Sequence, residues 1–380
     1  MDNRNETYPA FLRERGRPTF RGLFSTTSGL PPLRLAGLIE KLRTTPYNGL
    51  VRISDLGEFG LIDLIRDWTA GQPGAEDLIQ GIGDDAAAWQ VGGEVLLGTT
   101  DTLVEGVHFL PGPSEDLGWK AMAANLSDIA AMGGVPQTAL VSLALPPSTE
   151  VAWVEGLYAG VLAAGREYGV ALAGGDTVSA PHIVVTIVLL GRADSAERLM
   201  RRSGARAGDL LAVTGYLGNA EGGLRLLKRT SSPAREAASF LLSAHLRPRA
   251  RVAEGQALAS LGVRAAIDIS DGLLADAGHL CRESGVAAVV EAAKLPVHPH
   301  LRQAFPGECT RMAAVGGEDY ELLFAAPETV VEEARATLGA AVTVVGRVET
   351  GPPGRVVLLG EDRRPVELGE RGWEHFRAAR

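Results

Sequence analysis

The chain has 380 residues, 46% of them hydrophobic and 22% charged, with a formal net charge of -9. It is too long and too apolar to be a disordered chain, and about 150 residues per domain predicts two domains. An acidic chain is a poor nucleic-acid binder, because phosphates are normally neutralised by a basic excess. Taken alone, the same argument extends to polyanionic ligands in general.

The 47 glycines and 5% aromatic residues predict many tight turns around a core of Ala, Val and Leu. Lysine occurs only at Lys41, Lys120, Lys228 and Lys294, so the positive charge is almost all arginine. Two cysteines, Cys281 and Cys309, are too few for a disulfide framework or a thiolate metal site, which fits a reducing cytoplasm. No apolar run approaches the roughly 18 residues that span a bilayer, and the start, MDNRNETYPAFLRERGRP, lacks the apolar stretch of a secretory signal.

Residues 1–53 read as a basic arm, largely disordered, with a short helix over Leu35–Arg43. Up to Arg52 it holds nine basic and four acidic residues, leaving 28 and 42 in the remainder, a formal -14. From Ser54 the pattern becomes regular. Phe59, Ile62, Ile65 and Trp68 fall at helical spacing, stopped by Gly71. Strands Ala86–Val91 and Val95–Val104, helix Glu115–Met132, strand Thr138–Leu145, helix Glu150–Tyr168 and strands Val170–Ala173 and His182–Gly191 complete a first unit, 54–195. The Arg- and Gly-rich stretch RADSAERLMRRSGARAGD leads into a second, 196–380. There we expect strand Leu210–Thr214, helices Ala220–Lys228, Ala234–Ala244 and Arg249–Leu261, strand Ala265–Ile269 and helix Leu273–Glu283. Strands Val286–Val290 and Leu322–Ala325, helix Glu328–Leu338 and strands Val342–Val348 and Arg355–Leu359 follow. Two α+β units are therefore expected, with no short-period repeat.

Acidic residues beside glycine recur at the ends of apolar strands: GIGDDAA (81–87), GTTDTLVEGVHF (98–109), AGGDTVSA (173–180), IDISDGLLAD (267–276) and VGGEDYELLF (315–324). One Asp-Gly pair is ordinarily a turn; five sites, each abutting an apolar segment, point to a shared purpose. Oxygen ligands without His or Cys clusters select hard cations, and Mg²⁺ binds through few carboxylates plus substrate phosphates. On helix Glu115–Met132, Asn125 and Asp128 share a face, and an Asp in this Ala-rich interior is costly unless it is paired or metal-bound. Pairing with Lys120 or an arginine is the alternative to a metal cluster. Asp84 and Asp319 adjoin motif residues in strand-like segments, so each is expected to point away from its neighbour and outside the site.

The stretches GIGDDAA, TTDTLVEGVHF, GWKAMAANLSDIAAMGGVP, GGDT, RSGARAGD, IDISDGL and GGEDYEL, in this order, resemble the thiamine-monophosphate kinase family. The likeness covers about Ser54 to Phe376. It also extends to the wider superfamily of aminoimidazole ribonucleotide synthetase, selenophosphate synthetase and the hydrogenase-maturation dehydratase. The resemblance implies the aminoimidazole ribonucleotide synthetase-like fold, a homodimer whose first domains form a barrel-like sheet, and ATP-dependent transfer of a γ-phosphoryl group onto thiamine monophosphate. It places Asp85, Thr99, Thr100, Asp101, Asp128, Asp176, Asp268 and Asp271 at Mg²⁺ positions. Gly175, Arg202 and Ser270 match ATP contacts, and His108, Glu318 and Trp373 match positions that hold the thiamine moiety. No general base is expected, since an acceptor phosphate is already mostly deprotonated at neutral pH. The bland readings stay open: a backbone-satisfied His108, an exposed Glu318–Asp319 salt-bridge pair, and a core-anchoring Trp373.

Selenophosphate synthetase calls for a Cys in an N-terminal Gly-rich segment, and the hydrogenase-maturation enzyme for a reactive C-terminal Cys. The arm has no Cys and the chain ends in FRAAR. Aminoimidazole ribonucleotide synthetase is the nearest enzymatic alternative. A non-catalytic nucleotide or thiamine-phosphate binding protein is the alternative from another class, though it would not need so many neighbouring carboxylates.

Overall fold

A computed structural model of the protein describes residues 52–228, 233–369, 372, 373, 375 and 376. The expected arm lies outside these residues except for Arg52 and Ile53, and the expected helix over 35–43 lies wholly outside. From Leu56 onward the chain forms one compact unit, which carries two six-stranded sheets.

Helix α1 (Ile53–Thr69) leads into the first sheet and is broken at Gly57, whose φ of 71° suits glycine. The sheet holds β1 (Leu78–Gln80), β2 (Ala87–Val91), β3 (Glu94–Val104), β4 (Val135–Leu145), β5 (Ala171–Ser179) and β6 (Val184–Ala193). Their order is β1-β2-β3-β6-β4-β5, antiparallel except for the parallel β4–β5 pair. Alternation along the strands selects one covered face: Val95, Leu97, Thr99 and Leu103 of β3 and Val185, Ile187 and Leu189 of β6 are buried. Helix α2 (Ser114–Ala131) packs on this face, with α3 (Val151–Tyr168) beside it. On the other face Thr100 is exposed, and so are Leu140, Val178 and Leu190.

The second sheet contains β7 (Leu210–Thr214), β8 (Ala265–Asp268), β9 (Ala287–Glu291), β10 (Leu322–Ala326), β11 (Val342–Glu349) and β12 (Val356–Leu359). Their order is β12-β9-β11-β7-β10-β8, with only β12–β9 parallel. Its helices are α4 (Asn219–Leu227), α5 (Arg235–Leu246), α6 (Val252–Ser260), α7 (Leu273–Ser284), α8 (Pro299–Ala304), α9 (Cys309–Val315) and α10 (Glu328–Leu338). The short helices α8 and α9 and strand β1 were not expected from the pattern. The expected strand 170–173 runs on to Ser179, because the Gly-rich segment goes on pairing with β4 after a one-residue register shift between Leu172 and Gly174. Gly175 permits this approach: a Cβ there would sit 1.7 Å from the carbonyl oxygen of Val141. Among the described residues no helix is long and apolar enough to cross a membrane.

The Arg-rich stretch between the sheets is pinned down. Leu199 and Met200 are buried, the Arg201 N–H donates to the Arg264 carbonyl at 2.9 Å, and the Ala266 N–H donates back to the Arg201 carbonyl at 3.3 Å. One apolar cluster runs from Leu97, Ile129 and Met132 through Met200 to Ala259, Ala266 and Phe324. The two sheets thus share a core, and α2 is sandwiched at their seam, packing on β3 and on α6 and β8.

Burial on nearly all sides explains the small-residue sequence of α2. Its contact with α3 is made backbone to backbone: a Cβ on Gly118 would lie 2.0 Å from the Leu157 carbonyl oxygen, and one on Gly160 would lie 1.9 Å from that of Glu115. Replacement of Gly160 by Val must push the helices apart, and overpacking of this kind costs about 3 kcal/mol. Urea denaturation should show that loss for Gly160→Val; unchanged stability would mean the contact is not as tight as described.

Candidate active site at the seam

Four carboxylates converge where the two sheets meet. Asp85 ends the turn before β2, Asp101 lies on β3, Asp128 is in the last turn of α2 and Asp268 ends β8. Carboxylate oxygens of Asp85, Asp128 and Asp268 all lie within 4.8 Å of one another. Neutral groups hold the frame. Thr99 Oγ1 donates to Asp128 Oδ2 at 2.5 Å. Asn125 Oδ1 accepts the Asp101 N–H at 3.1 Å, while its amide donates to the Ala121 carbonyl at 3.0 Å. The shared face of Asn125 and Asp128 is therefore real, and Asn125 is the clamp between α2 and β3.

The arrangement is electrostatically costly. Burial raises the Asp101 carboxyl to about 6, with Asp85 adding repulsion. Burial and Asp85 raise Asp268 to about 8. Asp128 is held well above its ordinary value by burial, then by Asp101, Asp268 and Asp85. The C-terminal end of a helix dipole is a further unfavourable place for a carboxylate. Asp85, also raised by burial, is relieved by Arg202, whose guanidinium lies 2.5 Å from Asp85 Oδ1. For Arg202, burial works against the cation, but the Asp85 charge and hydrogen bond outweigh it. Asp85 Oδ2 is buried and has no hydrogen-bond partner.

The expectation that Asp84 points away from the site is corrected, because Asp84 does not sit in a regular strand. Both Asp84 oxygens accept the Arg202 backbone N–H at 3.2 Å, and burial followed by the Asp85 charge raises this carboxyl to about 7. Asp84 thus anchors the Arg202 backbone while Asp85 holds its side chain. Asp319 caps α4, accepting from the Gly218 N–H and from the Ala220 N–H at 3.0 Å.

The second sheet contributes a loop that folds back on β8. The Glu318 N–H donates to the Ser270 carbonyl at 2.8 Å, and the Tyr320 N–H donates to that of Ile269 at 2.9 Å. Gly317 makes the approach possible, since a Cβ there would lie 2.5 Å from the Ser270 oxygen. Glu318 and Tyr320 adopt φ of 66° and 51°, a region costly for residues other than glycine and concentrated at functional sites. Glu318 pairs with buried Lys120 at 2.5 Å, so Lys120 does not serve Asp128. His108 Nδ1 accepts the Val104 N–H at 3.0 Å, and its Nε2 lies 3.2 Å from His375 Nε2. Trp373 is 54% exposed, which excludes the core-anchor reading. Its backbone N–H donates to the Asp271 carbonyl at 3.1 Å, and its ring meets His375 edge-on at 5.9 Å. The tail therefore brings Trp373 and His375 beside His108 and Asp271.

Four of the anticipated metal and nucleotide positions lie apart from the carboxylate cluster. Thr100 points to the exposed face of β3, opposite Thr99 and Asp101. Asp176 is exposed on edge strand β5, on the same outer face; its cross-strand row runs through Ser142 and Thr186 to Thr102. Three strand spacings separate it from β3, about 14 Å. Gly175 lies on β5 beside Val141. Asp271 groups with Asp276 and His279. Sequence reading missed Asp84, Lys120, His245, Tyr320 and His375; their partners lie far away in sequence, and only the unusual buried lysine offered a signal.

Residues 83–193 match the family model for the AIR synthase related protein, N-terminal domain, and residues 206–358 match that for the C-terminal domain. The thiamine-monophosphate kinase of Aquifex aeolicus is 38% identical over 330 residues, covering 86% of this chain and 100% of its own. That of Bacillus subtilis is 35% identical over 332 residues, covering 85% and 100%. The chain belongs to the thiamine-monophosphate kinase family. Among solved structures of that family, AaThiL complexed with AMPPCP and TMP matches with a TM-score of 0.76 at 38% identity, covering 86% of this chain and 100% of that one. A more distant match, the Escherichia coli hydrogenase maturation protein HypE, has a TM-score of 0.61 at 20% identity, covering 82% and 96%, and shares the fold. The two α+β domains of this kinase family are thus the architecture described above.

The raised carboxyls make a signed prediction. A carboxyl whose folded pKa exceeds its unfolded value favours folding below the unfolded value, near 4, and loses that contribution as pH rises through the folded value. Across the cluster this window runs from about 4 up to about 8, the value reached by Asp268. Asp128→Asn removes one repelling charge, so the metal-free variant should gain melting temperature over the parent at pH 8 and gain less at pH 5. A gain independent of pH would contradict mutual repulsion as the cause.

Proposed function

We propose that the seam catalyses transfer of the γ-phosphoryl group of ATP to the phosphate of thiamine monophosphate, giving thiamine diphosphate and ADP. The observation that carries this reading is the convergence of Asp85, Asp101, Asp128 and Asp268 beside Arg202, in a chain of this kinase family. A phosphate oxygen of the acceptor forms the new bond to the γ-phosphorus as the bond to the β,γ-bridging oxygen breaks, and the electron pair leaves with ADP. The acceptor is already anionic, so the chain need supply no base. What must be overcome is repulsion between two phosphate groups, which phosphoryl transfer meets by positioning and charge neutralisation.

The donor set fits Mg²⁺: all-oxygen, buried, mutually repelling, with Asp85 Oδ2 left without a partner. Asp85, Asp101, Asp128 and Asp268 would hold the ions, with Thr99 fixing Asp128. When bound, Mg²⁺ reverses the sign of the site and lets carboxylates face phosphate oxygens. Arg202 contributes the fixed positive charge of the chain itself, tied to Asp84 and Asp85 and directed by them. Thr100, Asp176 and Asp271 as further metal positions, and Gly175 and Ser270 as ATP contacts, are part of this proposal and rest on the family resemblance.

His108, Glu318 and Trp373 are proposed to hold the thiamine moiety. Glu318 supplies a carboxylate for a cationic, amine-bearing ligand. Trp373 supplies an exposed ring for stacking. Burial, then His375, lowers the pKa of His108, keeping it neutral near pH 7 and suited to recognition beside a cation. The two-domain split near residue 196, a cytoplasmic setting and a homodimer joined through the open face around Leu140, Val178 and Leu190 complete the reading.

Purified protein given ATP, Mg²⁺ and thiamine monophosphate should form thiamine diphosphate and ADP in equal amounts, and neither without Mg²⁺. Asp128→Asn should stay folded while turnover falls at least about 100-fold, the scale of losing a group that stabilises the transition state. Absence of thiamine diphosphate would end the kinase reading, and near-normal turnover of the variant would remove Asp128 from it.

A further inference from the structure

Glu318 and Glu321, three residues apart, are paired in different ways. Glu321 is 5% exposed, and Arg251 takes both of its oxygens, at 2.5 and 2.6 Å. Thr214 Oγ1 adds a third bond at 2.7 Å. That carboxylate is saturated, as a structural ion pair requires. Glu318 meets a lysine. Lys120 Nζ, on a side chain 4% exposed, lies 2.5 Å from Oε1. Oε2 lies 3.4 Å from His245 Nδ1. Neither Lys120 Nζ nor His245 Nδ1 makes an aligned hydrogen bond, and burial, then Lys120, lowers His245 to about 4, leaving the ring neutral.

A lysine at this place is informative, because the two other ion-paired carboxylates described above, Asp85 and Glu321, take arginine. A guanidinium fork claims two oxygens, whereas an ammonium is a point charge that claims one. We infer that Lys120 is a positioning residue for the substrate: it fixes Glu318 through Oε1, against His245, so that Oε2 stays available to a cationic or amine-bearing group. The inference rests on the reading that Glu318 holds the thiamine moiety. Helix α2 also sets the distance between the two tasks. Lys120 and Asp128 lie eight residues apart, about 12 Å along the axis, so the helix that closes the metal site also sets the thiamine-holding carboxylate.

The test compares KM for thiamine monophosphate, KM for ATP and kcat in four full-length variants, each checked by its melting curve. Lys120→Met keeps a stem that fills the same wall of the adjoining cavity, lined also by Phe109, Trp153 and His245. It should raise KM for thiamine monophosphate about tenfold, with KM for ATP and kcat changed less than about threefold. Lys120→Arg keeps the charge but claims both oxygens, so it should raise that KM as well; a purely structural ion pair would tolerate it. Glu318→Gln and Lys120→Met/Glu318→Gln should share one KM, because Lys120 acts only through Glu318. The double variant removes the charge of both partners together and leaves no buried ammonium unpaired, so it remains informative if Lys120→Met alone fails to fold. An unchanged KM in Lys120→Met or Lys120→Arg, or a double variant weaker than Glu318→Gln, would overturn the positioning role. A normal KM in Glu318→Gln would instead overturn the assignment of Glu318 to the substrate.

Discussion

Repulsion among buried carboxylates is the constraint around which the rest of the chain is organised. Removing one carboxylate from water is costly, and bringing several within a few ångströms of one another multiplies the cost. A fold accepts this only when rigid packing forces it and a ligand repays it. The packing is visible. Helix α2 is locked against α3 through glycines, against β3 through Asn125, and against the second sheet through a shared apolar cluster.

The acidic composition acquires a location in this account. Part of the excess negative charge lies in the cluster, where it excludes anions bound by the bare protein and admits them with cations. The initial exclusion of polyanionic ligands therefore narrows to those held directly through basic residues. Arg202 shows the same logic from the other side: its charge is balanced by Asp84 and Asp85, so it adds direction rather than net attraction.

Much of this could be read in the sequence, and the exceptions have physical causes. The elements bearing Asp85, Asp101, Asp128 and Asp268 follow from periodicity and Gly punctuation, and their common purpose follows from acidic residues placed at element ends. The two-residue period of β3 already implies that adjacent Thr99 and Thr100 face opposite sides, and the structure shows that Thr99 faces inward. Helices α8 and α9 are too short to show periodicity. The Gly-rich run 174–176 reads as a turn, yet pairing with β4 decides its conformation. Lys120 with Glu318, and Asp84 with Arg202, are separated by nearly 200 and by 118 residues, and no local pattern encodes such partners. The positive φ of Glu318 and Tyr320 likewise arises from the fold-back onto β8 and has no local signature.

The central claim is that the carboxylates are held partly protonated by burial and mutual repulsion and are relieved by a divalent cation. Calorimetric titration of Mg²⁺ into the protein at pH 7, repeated in buffers of different ionisation enthalpy, measures the protons released on binding. The account predicts net proton release, reduced in Asp128→Asn. Binding without proton release, or equal release from the variant, would contradict it.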